Sequence, residues 1–252
     1  MSENTKWYAD GDYWMTNRGF IWPEKRLSNS ARDASAIVKL LEMKKGQSVL
    51  DLACGFGRHA LEFMKLGLRV TGVDLNPDLI QEAGEAAKNV KGSARFVCMD
   101  MREYNTEEEF DYIVNLYNSF GYFEDQSEDD LVLRNCLKSL VPGGSILIST
   151  TGREFIEKHM LGGTSRYWHG DNGTYRLEES NFESETGWLT TEWILIENGE
   201  ERSYKYGRRI YSEGELVKHL EKAGFTNVKT YGGVGGKPYS PESHRLVAAG
   251  KK

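Results

Sequence analysis

Apolar and polar positions along this chain alternate between two periods. Residues 48–54 (SVLDLAC) form a short, nearly continuous apolar run, which predicts a buried strand. Residues 58–66 place Ala60, Leu61, Phe63 and Met64 at helical spacing, and Gly67 follows where a helix would be capped. Residues 68–74 (LRVTGVD) predict the next strand. Asn76-Pro77 predicts a helix start, with Asn as cap and Pro in the first helical position. Residues 94–98 and 111–116 are further strands, and 127–140 is a helix with Ser127 as its cap. Pro142-Gly143-Gly144 then turns into a fifth strand over 145–150. Strands that alternate with helices and look buried on both sides predict a parallel α/β sheet covered on both faces.

The pattern changes after residue 151. From 166 to 211 the chain is rich in Tyr, Trp and Thr, with turn signals at Asp171-Asn172-Gly173 and Asn198-Gly199. The second separates TTEWILIE from EERSYKYGRRIY, a strong hairpin signature. This segment predicts a small antiparallel sheet inserted into the core fold. A helix over 212–223 and strands over 225–231 and 244–249 return to the main sheet. The first 45 residues read as an aromatic arm followed by a helix with Ala34, Ile37, Leu40 and Leu41 on one face. Four segments follow: 1–45 arm and helix, 46–151 core, 152–211 inserted cap, and 212–252 completing the core sheet.

Length and composition narrow the function. At 252 residues the chain can bury a substantial core without staples. Its 39% hydrophobic and 28% charged residues are those of a globular protein. No apolar run is long enough to cross a membrane, and the opening MSENTKWYADGDYW lacks a basic-then-apolar leader. Three widely spaced cysteines with no C-x-x-C argue against a disulfide scaffold or a cysteine-rich zinc site, and no H-E-x-x-H suggests another metal. A reducing, cytoplasmic setting is expected, without a metal. The net charge of −6, with no block of Lys and Arg, argues against nucleic acid as the partner. A monomer or homodimer is expected.

The sharpest chemical signal is Asp51-Leu-Ala-Cys-Gly55-Phe-Gly57, between a strand and a helix. Glycines let a ligand approach the backbone, and the following helix N-terminus offers free N–H groups to an anionic or carboxylate-bearing ligand. Asp74 ends the next strand, at the carboxyl edge where doubly wound sheets bind ligands. A carboxylate there suits ribose hydroxyls, so the pair reads as a nucleoside pocket. Gly55-Phe-Gly57-Arg-His-Ala60 also matches G-x-G-x-x-G/A, which leaves a dinucleotide open.

The ordered series VLDLACGFGRHALEF, VTGVDLN, FVCMDMRE, FDYIVNLYNSFGYF and LVPGGSILIST resembles the motifs of class I S-adenosylmethionine-dependent methyltransferases, across about residues 47–151. The resemblance implies a Rossmann-like doubly wound, mostly parallel seven-stranded sheet with a small inserted antiparallel β cap. It implies S-adenosylmethionine as cofactor and S-adenosylhomocysteine as product. By resemblance Gly55 and Gly57 lie against the methionine part, with Asp51 beneath and Ala53 where many members have another glycine. Asp74 takes the ribose hydroxyls, Leu75 packs on adenine, and Asp100 and Met101 hold the adenine edge. Asn115, Leu116 and Tyr117 lie beside the methionine and the methyl. The Asn-Pro-Pro-Tyr type motif of DNA adenine and glutamine methyltransferases is absent, as is the nucleophilic cysteine loop of C5-cytosine enzymes. That favours methyl transfer to N or O of a small-molecule acceptor. The alternatives are an NAD(P)-dependent oxidoreductase and a catalytically silent S-adenosylmethionine-binding protein.

Acceptor contacts are expected from Tyr117, Tyr122, Tyr167, Trp168 and Arg208, each of which also reads as core or hairpin packing. His169 is the one base nominated for a hydroxyl acceptor. Arg58 and His59 open a helix, where one reads as a solvated helix-start residue, while Arg58 could reach a cofactor carboxylate or an acceptor. Tyr13 and Trp14 either pack the arm or close over the cofactor, and Cys54 and Cys98 read as small buried core residues.

Overall fold

A computed structural model describes residues 6–160, 163–169 and 173–252. A 3-10 turn (Trp7–Ala9) and four helices, α1 (Gly11–Thr16), α2 (Arg18–Ile21), α3 (Glu24–Ser28) and α4 (Ser30–Leu40), precede the first strand. Then come β1 (Ser48–Leu52), α5 (Arg58–Lys65), β2 (Arg69–Asp74), α6 (Pro77–Ala87), β3 (Ser93–Cys98), β4 (Phe110–Asn115), α7 (Gln126–Ser139) and β5 (Leu140–Thr151). Helix α8 (Arg153–Met160) leads into β6 (Thr164–His169), β7 (Tyr175–Glu183), β8 (Trp188–Glu197) and β9 (Glu200–Arg209). Finally α9 (Glu213–Ala223), β10 (Thr226–Tyr231) and β11 (Arg245–Lys251) rejoin the core.

Seven strands form one sheet in the order β10-β11-β5-β4-β1-β2-β3. The pairs from β5 to β3 are parallel, while β11 runs antiparallel to both neighbours. The other four strands form a separate antiparallel sheet, β6-β7-β8-β9, inserted between β5 and β10. This is the Rossmann-like architecture with an added β cap. Strand alternation divides the core into two layers. Leu50, Leu52, Ile113, Ile146 and Ile148 face one side with Leu133, Leu216 and Tyr211. Val49, Val114 and Leu147 face the other with Ile37, Ala60 and Phe63.

Local chemistry sets the element ends. Asn76 caps α6 by accepting from the backbone N–H groups of Asp78 and Leu79, behind which Pro77 starts the helix. Ser212 and Glu215 make a capping box on α9. Asn198 (φ 52°) and Gly199 (φ 80°) both adopt the left-handed conformation that a two-residue hairpin between β8 and β9 requires.

Three expectations need correcting. The cap of α7 is Asp125, which accepts from the Ser127 N–H; Ser127 lies inside the helix. A carboxylate at the helix start is favoured by the dipole over a hydroxyl two residues further in. Strand β5 begins at Leu140, because Val141–Gly144 bulge out between two registers of pairing with β4 and do not end the strand. Cys98 is exposed, since β3 is the sheet edge. In the turn expected at 171–173, Asp171 and Asn172 lie outside the described residues. Among the described residues no helix is long and apolar enough to cross a membrane.

Candidate functional site

The strand order reverses between β1 and β4, and the loops after these two strands open one crevice, as the topology dictates. The crevice continues under the β cap as a cavity of about 590 Å³.

On the core side the wall is mostly backbone. After β1 the chain turns through Ala53 (φ 60°), Gly55 (φ 58°) and Gly57 (φ 78°), and Gly57 is the N-cap of α5. Gly57 suits the left-handed turn and the tight packing around it: a Cβ there would sit 3.0 Å from Ala83 Cβ and 3.1 Å from Phe96 Cε1. Ala53 occupies the left-handed region with a side chain, at a cost of roughly 1–2 kcal/mol. The loop is tied to the next strand. Gly55 N–H donates to Asp74 Oδ2 (2.7 Å), and Asn76 N–H donates to Asp74 Oδ1 (3.0 Å). Burial raises the Asp74 carboxyl above the ordinary range, and these N–H groups partly oppose the rise.

Asp51, near the end of β1, is 2% exposed and lines the cavity. Burial pushes its carboxyl up to about 7, against the pull of Arg58. Its Oδ2 finds no hydrogen-bond partner among the described residues. A buried acceptor left open on a cavity wall costs stability until a donor arrives. Asp100 is locked by Arg102, whose Nε lies 3.0 and 3.1 Å from its two oxygens, and the pairing holds it below the usual carboxylate range despite its burial. Arg102 also bonds Glu128 and lies 4.6 Å from the Phe123 ring centroid.

After β4 the chain makes a second strained turn, with Tyr117 (φ 59°) and Asn118 (φ 71°) both left-handed. Two consecutive non-glycine residues in that region persist only where surroundings fix them. Asn118 N–H donates to Ser149 O (3.0 Å), and its Oδ1 accepts from Thr151 Oγ1 (3.0 Å) and Arg245 Nη1 (3.1 Å). The Tyr117 ring stacks on His59 and its hydroxyl donates to Asp33.

The cap side is built of side chains. Arg166, Trp168, Arg176, Glu178, Thr191, Trp193, Tyr206 and Arg208 line the cavity from β6 to β9. The N-terminal arm closes the same wall. Tyr13 stacks on Trp193 (5.8 Å between centroids), Tyr204 hydroxyl donates to Asp12 (2.8 Å), and Trp7 Nε1 donates to Gly207 O (3.0 Å). Tyr13 and Trp14 therefore pack the arm and line the cavity at once. Arg176 Cζ lies 3.7 Å from the Trp193 centroid and bonds Glu178 (2.9 Å).

Of the residues expected at a cofactor, Asp51, Ala53, Gly55, Asp74, Leu75, Asp100, Met101 and Leu116 share this cavity. Gly57 and Asn115 lie behind it, and Asn115 Nδ2 donates to Leu52 O (3.2 Å). Of those expected at an acceptor, Tyr117, Tyr122, Trp168 and Arg208 line it. Tyr167 does not: it is 77% exposed. His169 is also off the cavity, exposed on edge strand β6 against Tyr175. Side chains alternate across a strand, so Arg166 and Trp168 face in while Tyr167 and His169 face away. The cavity's histidines among the described residues are His59 and His244, both held toward the neutral form by burial. Sequence reading missed His244, Arg245, Arg26 and Asn118, which only long-range packing brings to the wall.

Residues 49–144 match the family described as Methyltransferase domain. A dTDP-4-amino-2,3,4,6-tetradeoxy-D-glucose N,N-dimethyltransferase of Saccharopolyspora spinosa is 28% identical over 77% of this chain and 78% of its own. A ubiquinone biosynthesis O-methyltransferase of Coxiella burnetii is 30% identical, over 44% of this chain and 46% of its own. A solved S-adenosylmethionine-dependent methyltransferase from Clostridium acetobutylicum superposes with a TM-score of 0.78, 18% identity, and coverage of 94% of this chain and 96% of that one. The nicotinamide reading is set aside by these matches. A pocket at the sheet's switch point, the glycine turn tied to Asp74 and the match over 49–144 together show that this chain carries a methyltransferase domain on the class I, S-adenosylmethionine-dependent fold.

Proposed function

We propose that the enzyme moves a methyl group to N or O of a small molecule held between the core and the β cap, with nitrogen favoured. The observation that carries this is the single cavity running from the glycine turn to Arg208 and Trp168 of the cap. The Saccharopolyspora relative, an N,N-dimethyltransferase by name, aligns over 202 residues, more than the core segment 46–151 alone can supply. The O-methyltransferase match, over 112 residues, is only slightly longer than that segment.

When bound, the cofactor supplies a sulfonium methyl already reactive toward a neutral amine. The chain's own residues hold, align and exclude water. Asp74 accepts the ribose hydroxyls with lone pairs its backbone ties leave free. Asp51 Oδ2, open and buried, takes the methionine ammonium, which fits the cofactor to this cavity. Leu75 and Met101 flank the adenine, beside Asp100. Leu116 and Tyr117 stand beside the methyl, and Tyr122, whose phenol burial pushes up to about 12 and so keeps neutral, faces the acceptor side. The guanidinium groups around the cavity lower the pKa of an amine bound among them, which delivers it unprotonated. Segment 152–211 acts as the acceptor lid, and 46–151 with 212–252 as the cofactor platform.

The test is turnover. Purified enzyme with S-adenosylmethionine and a panel of small amines, amino sugars and phenols is assayed for S-adenosylhomocysteine and for products heavier by one methyl. An N-methylated small molecule is expected. Methylation of protein or nucleic acid alone would overturn the reading.

A further inference from the structure

The cavity carries more positive charge than its cofactor can use. Arg26, Arg58, Arg208 and Arg245 all line it. Their hydrogen bonds go to neutral groups: Arg26 to Ile21 O, Arg58 to Arg26 O and Ser30 Oγ, and Arg245 to Asn118 Oδ1. Arg208 Nη1 is buried and has no partner among the described residues. Three of these guanidinium groups converge on one ring, with Cζ 4.0 Å (Arg58), 4.5 Å (Arg245) and 5.8 Å (Arg26) from the Tyr117 centroid. Arg208 is close enough for its charge to depress both Arg245 and His244.

The cavity's carboxylates do not balance this cluster. Asp100 is paired with Arg102, and Glu178 with Arg176. Asp74 is tied to the glycine turn, and burial favours the protonated form of Asp51. Asp33, behind Tyr117, takes that hydroxyl and Arg32. S-adenosylmethionine brings a sulfonium and an ammonium against one carboxylate, so its arrival adds positive charge. An unpaired buried guanidinium is costly, and its fork of N–H donors fits a planar or tetrahedral oxyanion. The chain as a whole is acidic, at −6, so this cluster is local and not a general surface property.

We propose that the acceptor carries an oxyanion, a phosphoryl or carboxylate group, anchored by Arg208 of β9 with Arg245 and Arg26 facing it across the cavity. This rests on the small-molecule reading above and names the acceptor's class. Arg208 lies on the cap wall and Arg245 beside the turn after β4, so an anion between them presents its attached amine or hydroxyl toward Tyr117 and Leu116. Arg58, nearest the glycine turn, is left for the cofactor carboxylate.

Calorimetry on enzyme saturated with S-adenosylhomocysteine tests it, with pyrophosphate and malonate as probes. At least one should bind, and Arg208→Gln should weaken that binding tenfold or more while S-adenosylhomocysteine affinity and thermal midpoint stay within twofold and a few degrees of the parent. Arg208→Lys, which keeps the charge and loses the fork, should fall between. Stronger pyrophosphate binding assigns a phosphorylated acceptor, and stronger malonate binding a carboxylate one. Binding of neither probe, or equal binding by Arg208→Gln, overturns the inference. It leaves the small-molecule reading standing, because turnover scores that reading separately. If Arg208→Gln fails to fold, Arg245→Gln carries the same expectation.

Discussion

The two walls of the cavity are made differently. The core wall is a backbone device, in which two left-handed turns at the switch point are pinned by Asp74 and Asn118. The cap wall is a side-chain device, in which an antiparallel sheet projects every second residue into the cavity and the aromatic arm packs against it. A backbone device needs particular residues at fixed spacing and tolerates little change. A side-chain device needs only the alternation of a strand, so its chemistry can change residue by residue. That difference separates binding a common cofactor from choosing an acceptor.

The seam between the two walls is where a substitution should cost most. Gly121 has φ 96°, and a Cβ on it would lie 2.5 Å from Arg209 O, while Arg209 N–H donates to Gly121 O (2.6 Å). Gly121→Ala should destabilise the protein by ~2–4 kcal/mol in denaturant unfolding, since backbone on both sides must move. A loss below 1 kcal/mol would mean that cap and core are loosely joined.

Asp74→Ala tests the core wall. Besides the ribose contacts it removes the ties to Gly55 and Asn76. The carboxylate looks from the sequence like a ligand group that the fold can spare, and the structure makes it a brace as well. S-adenosylhomocysteine binding should weaken by ~1.5–3 kcal/mol, ten- to a hundredfold, and the thermal midpoint should drop too. An unchanged midpoint would separate the two roles.

Asp51 supplies the pH dependence. Its folded pKa, about 7, lies above the ordinary carboxyl value of 3.8. The carboxyl therefore contributes stability that is full below pH 4 and lost as pH rises toward 7. Asp51→Asn should flatten this part of the stability profile of the ligand-free enzyme. An ammonium at Oδ2 lowers the pKa, so cofactor binding near pH 6.5 should release a proton, read as a buffer-dependent calorimetric enthalpy. The release should vanish in Asp51→Asn.

Two smaller effects sharpen the contrast. Ala53→Gly relieves a left-handed alanine and should stabilise the enzyme by about 0.5–1 kcal/mol, with cofactor affinity kept. Tyr167→Ala, on the outward face of the cap, should change stability by less than ~0.5 kcal/mol and leave turnover intact. Trp168→Ala, one residue on and facing in, should raise the acceptor KM several-fold. Equal behaviour of the pair would place the acceptor elsewhere.

The core was legible because its requirements are local. A short apolar run, a glycine turn and a carboxylate 19 residues beyond Gly55 are a pattern along the chain, and the structure brings Asp74 to Gly55 at 2.7 Å. The cap of α6 and the Asn198-Gly199 hairpin were likewise carried by neighbouring residues. The cap of α7 went to Asp125 because two polar residues two positions apart can both cap, and dihedrals decide between them.

Helices α1–α3 and α8 carried no such signal, whereas the alternating strands and helices of residues 48–151, the inserted antiparallel segment and the glycine turn were legible along the chain. Each follows from periodicity or from chemistry within a few positions. Only the tertiary structure decided which face of the cap looks inward, sending Trp168 to the cavity and His169 to solvent. Only it gathered Arg26, Arg58, Arg208 and Arg245, from four distant elements, around one empty charge balance. Strand register and long-range packing fix those meetings, and neither leaves a mark in the spacing of residues along the chain.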